Sequence, residues 1–279
     1  MKIWEAIIYG LIGGATELLP ISFTGHYALL KEIFGLSSLS EGAGLYIRIA
    51  ICLGVILAIC FSLRRESAML GREALCLSGL RRRRRGQQAD RAYVRSVLVF
   101  SLALVMMLLS LIYRAKAERQ TGLVYVAAGF AINGLLLHWF SRGRAGEKTE
   151  TNVLVSDAFL IGAARMASVF PGLSGLSSSL FVGEARGLSF PYNARVAYML
   201  TLSYEVLSLV YHLVRAVLYG SFPLEALLPF AIVLALTAAV GYLAMHYFRY
   251  LVIRKKLGIF AYYCWDAAMI ALVVALINA

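Results

Sequence analysis

The stretch Thr16–His26, TELLPISFTGH, sets a carboxylate, two hydroxyls and an imidazole between two apolar runs. Glu17, Ser22, Thr24 and His26 flank Pro20 and Gly25 in a segment otherwise compatible with a lipid bilayer. Ionisable groups at membrane depth are costly, so their presence there points to a functional site. Pro20 removes a backbone donor and Gly25 frees the chain to turn. A helix should therefore break here and leave amides in need of partners from protein, water or ligand. Such a break suits an anion. The bland alternative is a proline-kinked membrane helix with incidental polar groups.

The membrane setting follows from composition. Of 279 residues, 61% are hydrophobic and 15% charged, against roughly a quarter charged in soluble chains. Several apolar runs approach the ~20 residues that span a bilayer, so the chain reads as an all-α polytopic membrane protein. The formal net charge is +12, but the arginines lie in short connections between apolar runs, as in cytoplasmic membrane loops. Nucleic acid is therefore not an expected partner. Cys52, Cys60, Cys76 and Cys264 show neither CxxC spacing nor neighbouring histidines and read as packing residues, not as a disulfide or zinc framework. Lys2 and Glu5 open the chain without a small-residue cleavage site, so no removable signal peptide is expected.

Outward from Pro20, residues 1–35 read as a re-entrant helical hairpin interrupted by Gly13, Gly14, Pro20 and Gly25. Residues 153–188 repeat the theme: an apolar run broken at Pro171 and Gly172, followed by Ser174, Ser177, Ser178 and Ser179. Spans are predicted at 45–63, 96–113 and 121–140 in the first half, and at 192–218, 223–248 and 257–278 in the second. The tract 64–95, with the run Arg81 to Arg85, reads as a solvated cytoplasmic loop. Placing the cations of 141–152 and 249–256 on the same side puts both termini outside. The first hairpin then enters from outside and the second from inside. The single membrane domain 1–279 thus divides into repeats 1–152 and 153–279 of opposite orientation. This is an inverted-topology repeat of six transmembrane helices plus two re-entrant hairpins, whose broken helices meet near the midplane. EAIIYGLIGGATELLP and DAFLIGAARMASVFP share an acidic-Ala start and a proline at the break.

At these two breaks the chain resembles the undecaprenyl-diphosphate phosphatase family, the integral membrane enzymes linked to bacitracin resistance. GGATELLPISFTGH from Gly13 is similar to the family motif EGxTEFLPVSSTGH, and PGLSGLSSS from Pro171 is similar to PGxSRSGAT. Weaker likeness at ICLGVILA and FAYYCW extends it over most of the chain. The resemblance implies a multi-pass protein of the bacterial plasma membrane whose partner is a polyprenyl phosphate lipid. Its implied substrate is C55 polyprenyl diphosphate, hydrolysed to the monophosphate and phosphate in recycling of the cell-wall lipid carrier. It also implies a divalent cation, Mg²⁺ or Ca²⁺, with Glu17 as ligand. Catalytic roles are implied for Glu17, Ser22, Thr24 and His26, and Ser174 matches the serine before the second motif's arginine.

The chain departs from the family at chemically demanding positions. We assign the motif's first glutamate to Gly14, its second serine to Phe23 and the second motif's arginine to Gly175; a C-terminal arginine of the family appears as Cys264. Losing that arginine removes a planar, permanently charged clamp for phosphate oxygens. Arg165, six residues before Pro171 as Gly14 is before Pro20, is the candidate replacement, and Ser174 and Ser177 join it as substrate-binding residues. Two readings follow. One is a phosphatase with a rearranged site; the other is a catalytically silent paralogue that binds or translocates polyprenyl phosphates.

Overall fold

Apolar runs bounded by glycine, proline and cationic residues become helices throughout. The structure, a computed structural model, describes residues 2–39, 42–80, 122–144, 146–149, 151–219, 224–254 and 256–278. In chain order the helices are α1 (Ile3–Leu18), α2 (Phe23–Phe34), α3 (Ala43–Ser62), α4 (Arg64–Leu77), α5 (Leu123–Arg142), α6 (Val155–Arg165), α7 (Gly175–Ala185), α8 (Phe190–Tyr219), α9 (Leu227–Ile253) and α10 (Gly258–Ile277). Among the described residues there is no strand, only an isolated bridge between Lys148 and Leu188. Among the described residues five helices, α3, α5, α8, α9 and α10, are long and apolar enough to cross a membrane. They lie where spans were predicted. The predicted span 96–113 and the run Arg81 to Arg85 fall outside the described residues.

One expectation changes. The start of the basic tract, read as loop, is helix α4. Glu66 in its first turn suits the positive helix N-terminus and reaches Arg195 at 3.9 Å.

The two predicted breaks share one local grammar. Leu19, ahead of Pro20, is extended at φ −101°, ψ 157°, because proline crowds the preceding residue out of helical space. Ser22 then caps α2, its hydroxyl accepting from the Gly25 amide at 3.2 Å. In the second half α6 runs into a 3₁₀ turn, and Phe170 ahead of Pro171 is extended at φ −82°, ψ 119°. Gly172 adopts φ +93°, a conformation that favours glycine. Ser174 caps α7, accepting from the Ser177 amide at 3.4 Å. At 16 residues, α1 is about 24 Å long, short of the ~30 Å hydrocarbon core.

Packing brings the breaks together. Helix α1 lies along α9 and α3, α3 packs on α8, and α5 packs on α10 while also contacting α2 and α7. A Cβ at Gly25 would come 2.8 Å from the Gly172 Cα, so the first turn of α2 rests directly on the second break.

Candidate functional site

Both breaks line one small cavity of about 20 Å³. The first contributes Thr16, Glu17, Ser22, Phe23 and Thr24; the second contributes Arg165, Ser168, Ser174 and Gly175, and Tyr204 of α8 closes the wall. Helices α2 and α7 both start here, each with its serine cap. Two helix N-termini and the Arg165 guanidinium meet at this cavity, which favours an anion. The volume admits about one water, so a phosphoryl group enters only as side chains move aside.

Glu17 is bound by Arg48 of α3, Nη1 to Oε1, at 3.1 Å, and both side chains are nearly buried. The Arg48 guanidinium also lies 4.5 Å over the Phe23 ring, and that ring stacks on Tyr27 with an interplanar angle of 4°. Phe23 is therefore a platform for a cation as well as filling beside the cavity. Arg165, 3% exposed, lies 5.0 Å over the Tyr204 ring. The Ser22 and Thr24 hydroxyls are 3.0 Å apart.

Asn133 of α5 ties the breaks together. Its Nδ2 donates to the Pro20 carbonyl at 3.0 Å and to Cys264 Sγ at 3.2 Å. Its Oδ1 accepts from the Ser174 amide at 3.0 Å and from the Ser177 hydroxyl. With no exposure, this amide has its polar atoms satisfied by both halves of the chain.

The family model of bacitracin resistance protein BacA matches residues 6–270. The chain belongs to this family. It is 27% identical over 276 residues to an undecaprenyl-diphosphatase of Methanobrevibacter smithii, covering 97% of this chain and 96% of that one. Undecaprenyl-diphosphatase 1 of Shouchella clausii is 26% identical, with 98% and 96% covered. An undecaprenyl-diphosphatase of Pelotomaculum thermopropionicum is 26% identical, with 99% and 97% covered.

The family's motif positions now have places in space. Glu17, Ser22, Thr24, Arg165 and Ser174 share the cavity lining, whereas His26 and Ser177 are not part of it. The His26 Nδ1 lies 2.6 Å from the Ser22 carbonyl; because a carbonyl only accepts, Nδ1 carries the proton. Nε2 shares a hydrogen bond with the Tyr263 hydroxyl, 2.7 Å away. His26 clasps α2 to α10 behind the cavity. Counting back from Glu17, the motif's first glutamate falls on Gly13 and its glycine on Gly14, which corrects the assignment above by one position. At Gly14 a Cβ would meet the Thr237 carbonyl oxygen at 2.8 Å, so this position serves the contact between α1 and α9. Gly175 faces Arg165 itself: a Cβ there would be 3.0 Å from the Arg165 Cγ and 3.2 Å from its Nη1. Cys264 is buried against Asn133.

Arg48, Asn133 and Tyr204 escaped the sequence reading. For Arg48 and Asn133 the signal was present, since each is a strongly polar residue inside an apolar span, the same anomaly that singled out Glu17. Among the described residues no three His, Cys, Asp or Glu side chains gather as a metal site. The one carboxylate lining the cavity is taken by Arg48, and two guanidinium groups supply positive charge beside it. Glu17 is thus the one carboxylate this cavity would offer Mg²⁺ or Ca²⁺ among the described residues, and the other oxygen ligands would have to come from hydroxyls, water or the substrate's phosphates.

Proposed function

We propose that this chain hydrolyses a polyprenyl diphosphate to the monophosphate and phosphate, using Arg165 as the clamp that Gly175 no longer provides. The observation that carries this reading is the Arg165 side chain lying against the vacated face of Gly175. Its guanidinium reaches the cavity from α6 instead of from α7, so one cation is kept at the two serine-capped helix starts. The relatives, undecaprenyl-diphosphatases, supply the substrate class.

Phosphoryl transfer relies mainly on positioning and charge stabilisation. The terminal phosphoryl group enters between the breaks as the Phe23 and Thr16 side chains shift. Arg165, Arg48 and the amides at the starts of α2 and α7 take its oxygens. As Arg48 turns to phosphate, Glu17 is released to accept a proton from the attacking oxygen, a water held by the Ser22 and Thr24 hydroxyls. That oxygen bonds to the terminal phosphorus while the bridging P–O bond breaks, and the lipid monophosphate leaves with the electron pair. No divalent cation is assigned a step, because the two arginines already offset the charge.

On this reading the halves form an inverted repeat in the bacterial plasma membrane. Equivalent helices, α3 with α8 and α5 with α10, pack on each other, which supports a two-fold relation between re-entrant pairs. The second reading, a silent lipid-phosphate binder, is favoured by the roughly one-water cavity beside Phe23. Phosphate release from C55 diphosphate by purified protein in detergent decides between them. Turnover that persists in chelator and is lost in Arg165→Gln and Glu17→Gln is the expected result. Lipid binding without any turnover would leave the silent reading standing.

A further inference from the structure

A second cavity, of about 270 Å³, opens at the other end of α3, where α3, α4, α8 and α9 meet. Its charged residues are Arg195, Arg249 and Glu66, and Leu63, Pro191 and Val252 give it an apolar wall. Arg249 Nη2 donates to the Ser62 carbonyl at 2.9 Å, which fixes one guanidinium at the rim. The hydroxyl of Ser62, a lining residue, is a buried side-chain oxygen with no hydrogen-bond partner among the described residues. Glu66 approaches Arg195 at 3.9 Å only, and both side chains are partly exposed. Such a long, exposed pair is weak, so this contact does not by itself keep Arg195 from a better-placed anion.

We propose that this cavity binds the phosphate group of a phosphoester, seated between Arg195 and Arg249 with the Ser62 hydroxyl as an added donor. Guanidinium groups match phosphate oxygens in geometry and charge. The apolar wall fits the first carbons of a lipid beneath its headgroup, and a free phosphate would leave that wall wet. The cavity's floor is Tyr198, whose hydroxyl donates to the Leu18 carbonyl at 2.9 Å, next to Glu17. Tyr198 precedes Tyr204 of the candidate site by six residues, about 9 Å along α8. The two sites thus share one helix and stay distinct in lining. Placement in the inner leaflet rests on the orientation proposed above; the binding does not.

The test is binding of three probes to delipidated full-length protein in detergent, counted by native mass spectrometry. The probes are phosphatidylglycerol, diacylglycerol with the same chains, and sn-glycerol 3-phosphate. Phosphatidylglycerol should bind the parent, weaken at least tenfold in the double variant Arg195→Gln, Arg249→Gln, and tighten severalfold in Glu66→Gln. The last change removes a competing carboxylate, and misfolding cannot mimic a gain. Diacylglycerol should bind neither protein. Glycerol 3-phosphate binding as tightly as the lipid would support the phosphate site and assign its source to a soluble ester. Equal phosphatidylglycerol binding by the parent and both variants, or diacylglycerol binding as well as phosphatidylglycerol, would overturn the proposal. No outcome depends on hydrolysis, so failure here and failure of the phosphatase reading are separable.

Discussion

A Cβ at position 175 would lie 3.0 Å from both the Cγ and the backbone oxygen of Arg165, so an arginine at 175 and the present Arg165 compete for one space. Gly175→Arg alone should therefore lower phosphate release. In contrast, Gly175→Arg with Arg165→Gln should recover part of the rate lost in Arg165→Gln alone. That single loss is expected at about 10²–10³ in kcat, the usual effect of one charge-stabilising donor; initial rates at matched folded fraction check both statements. Phe23 poses a related question. Its ring carries the Arg48 guanidinium at 4.5 Å, so Phe23→Tyr should keep most of the activity, while Phe23→Leu, close in bulk but without a π face, should reduce it several-fold. A rise in rate for Phe23→Leu would show that the ring only blocks. The sequence made Phe23 look like a pure loss because the platform it forms involves a residue on another helix.

At the level of elements, the breaks and their meeting were legible, and the residue that joins them was not. Leu19–Pro20 and Phe170–Pro171 are local signals: proline sets the preceding residue, and a serine two or three positions later caps the next helix. Asn133 instead bonds Pro20 and Ser174, residues 113 and 41 positions away, and no local pattern reports such pairings. Asn133→Leu would strand the Ser174 amide, costing about 1–3 kcal/mol when buried unpaired, while the Ser177 hydroxyl would keep the Ser174 carbonyl, 2.9 Å away, as its acceptor. A clear fall in the melting temperature of the detergent-solubilised protein, together with loss of activity, is expected, whereas His26→Ala should lower stability more than the chemical step. The first turn of α6 has its own clamp. Asp157 accepts from Lys148 and from Arg186, each at 2.8 Å. Burial alone would raise its carboxyl pKa, but the bonds from Lys148, the Leu154 amide and Arg186 outweigh burial and hold it below the ordinary value. A lowered folded pKa means that this stabilisation is present above the unfolded value of about 3.9 and is lost as pH falls through the lower folded value. Melting temperature should be level from pH 7 to 5 and fall below about pH 4, and Asp157→Asn should lower the plateau and flatten that acid limb.

For the whole molecule, orientation follows from where the cations end up once the helices are packed. Arg64, Arg65 and Arg72 follow α3, Arg142 and Arg144 follow α5, and Arg249 and Arg254 close α9. Helices α3 and α9 run the same way, since Gly54 faces Thr237 and Ser62 meets Arg249, and α5 ends beside Gly258 at the start of α10, so these charges share one face, while Lys31 and the short turn at 224–226 lie toward the other. Cations near span ends stay in the cytoplasm, so α4 should be inside and Glu225 outside. Charge placement was readable from the sequence because it depends on short segments only; that α5 would join the two breaks depended on packing between distant segments. The orientation has a direct check in intact cells, with Cys60 and Cys76 replaced by alanine. A thiol at Ser78→Cys, exposed just after α4, should resist a membrane-impermeant maleimide, and one at Glu225→Cys should react. Reversal of the two would turn the molecule over, moving the arginine-lined cavity of Arg195 and Arg249 to the outer leaflet and requiring the diphosphate to reach Arg165 from the cytoplasm.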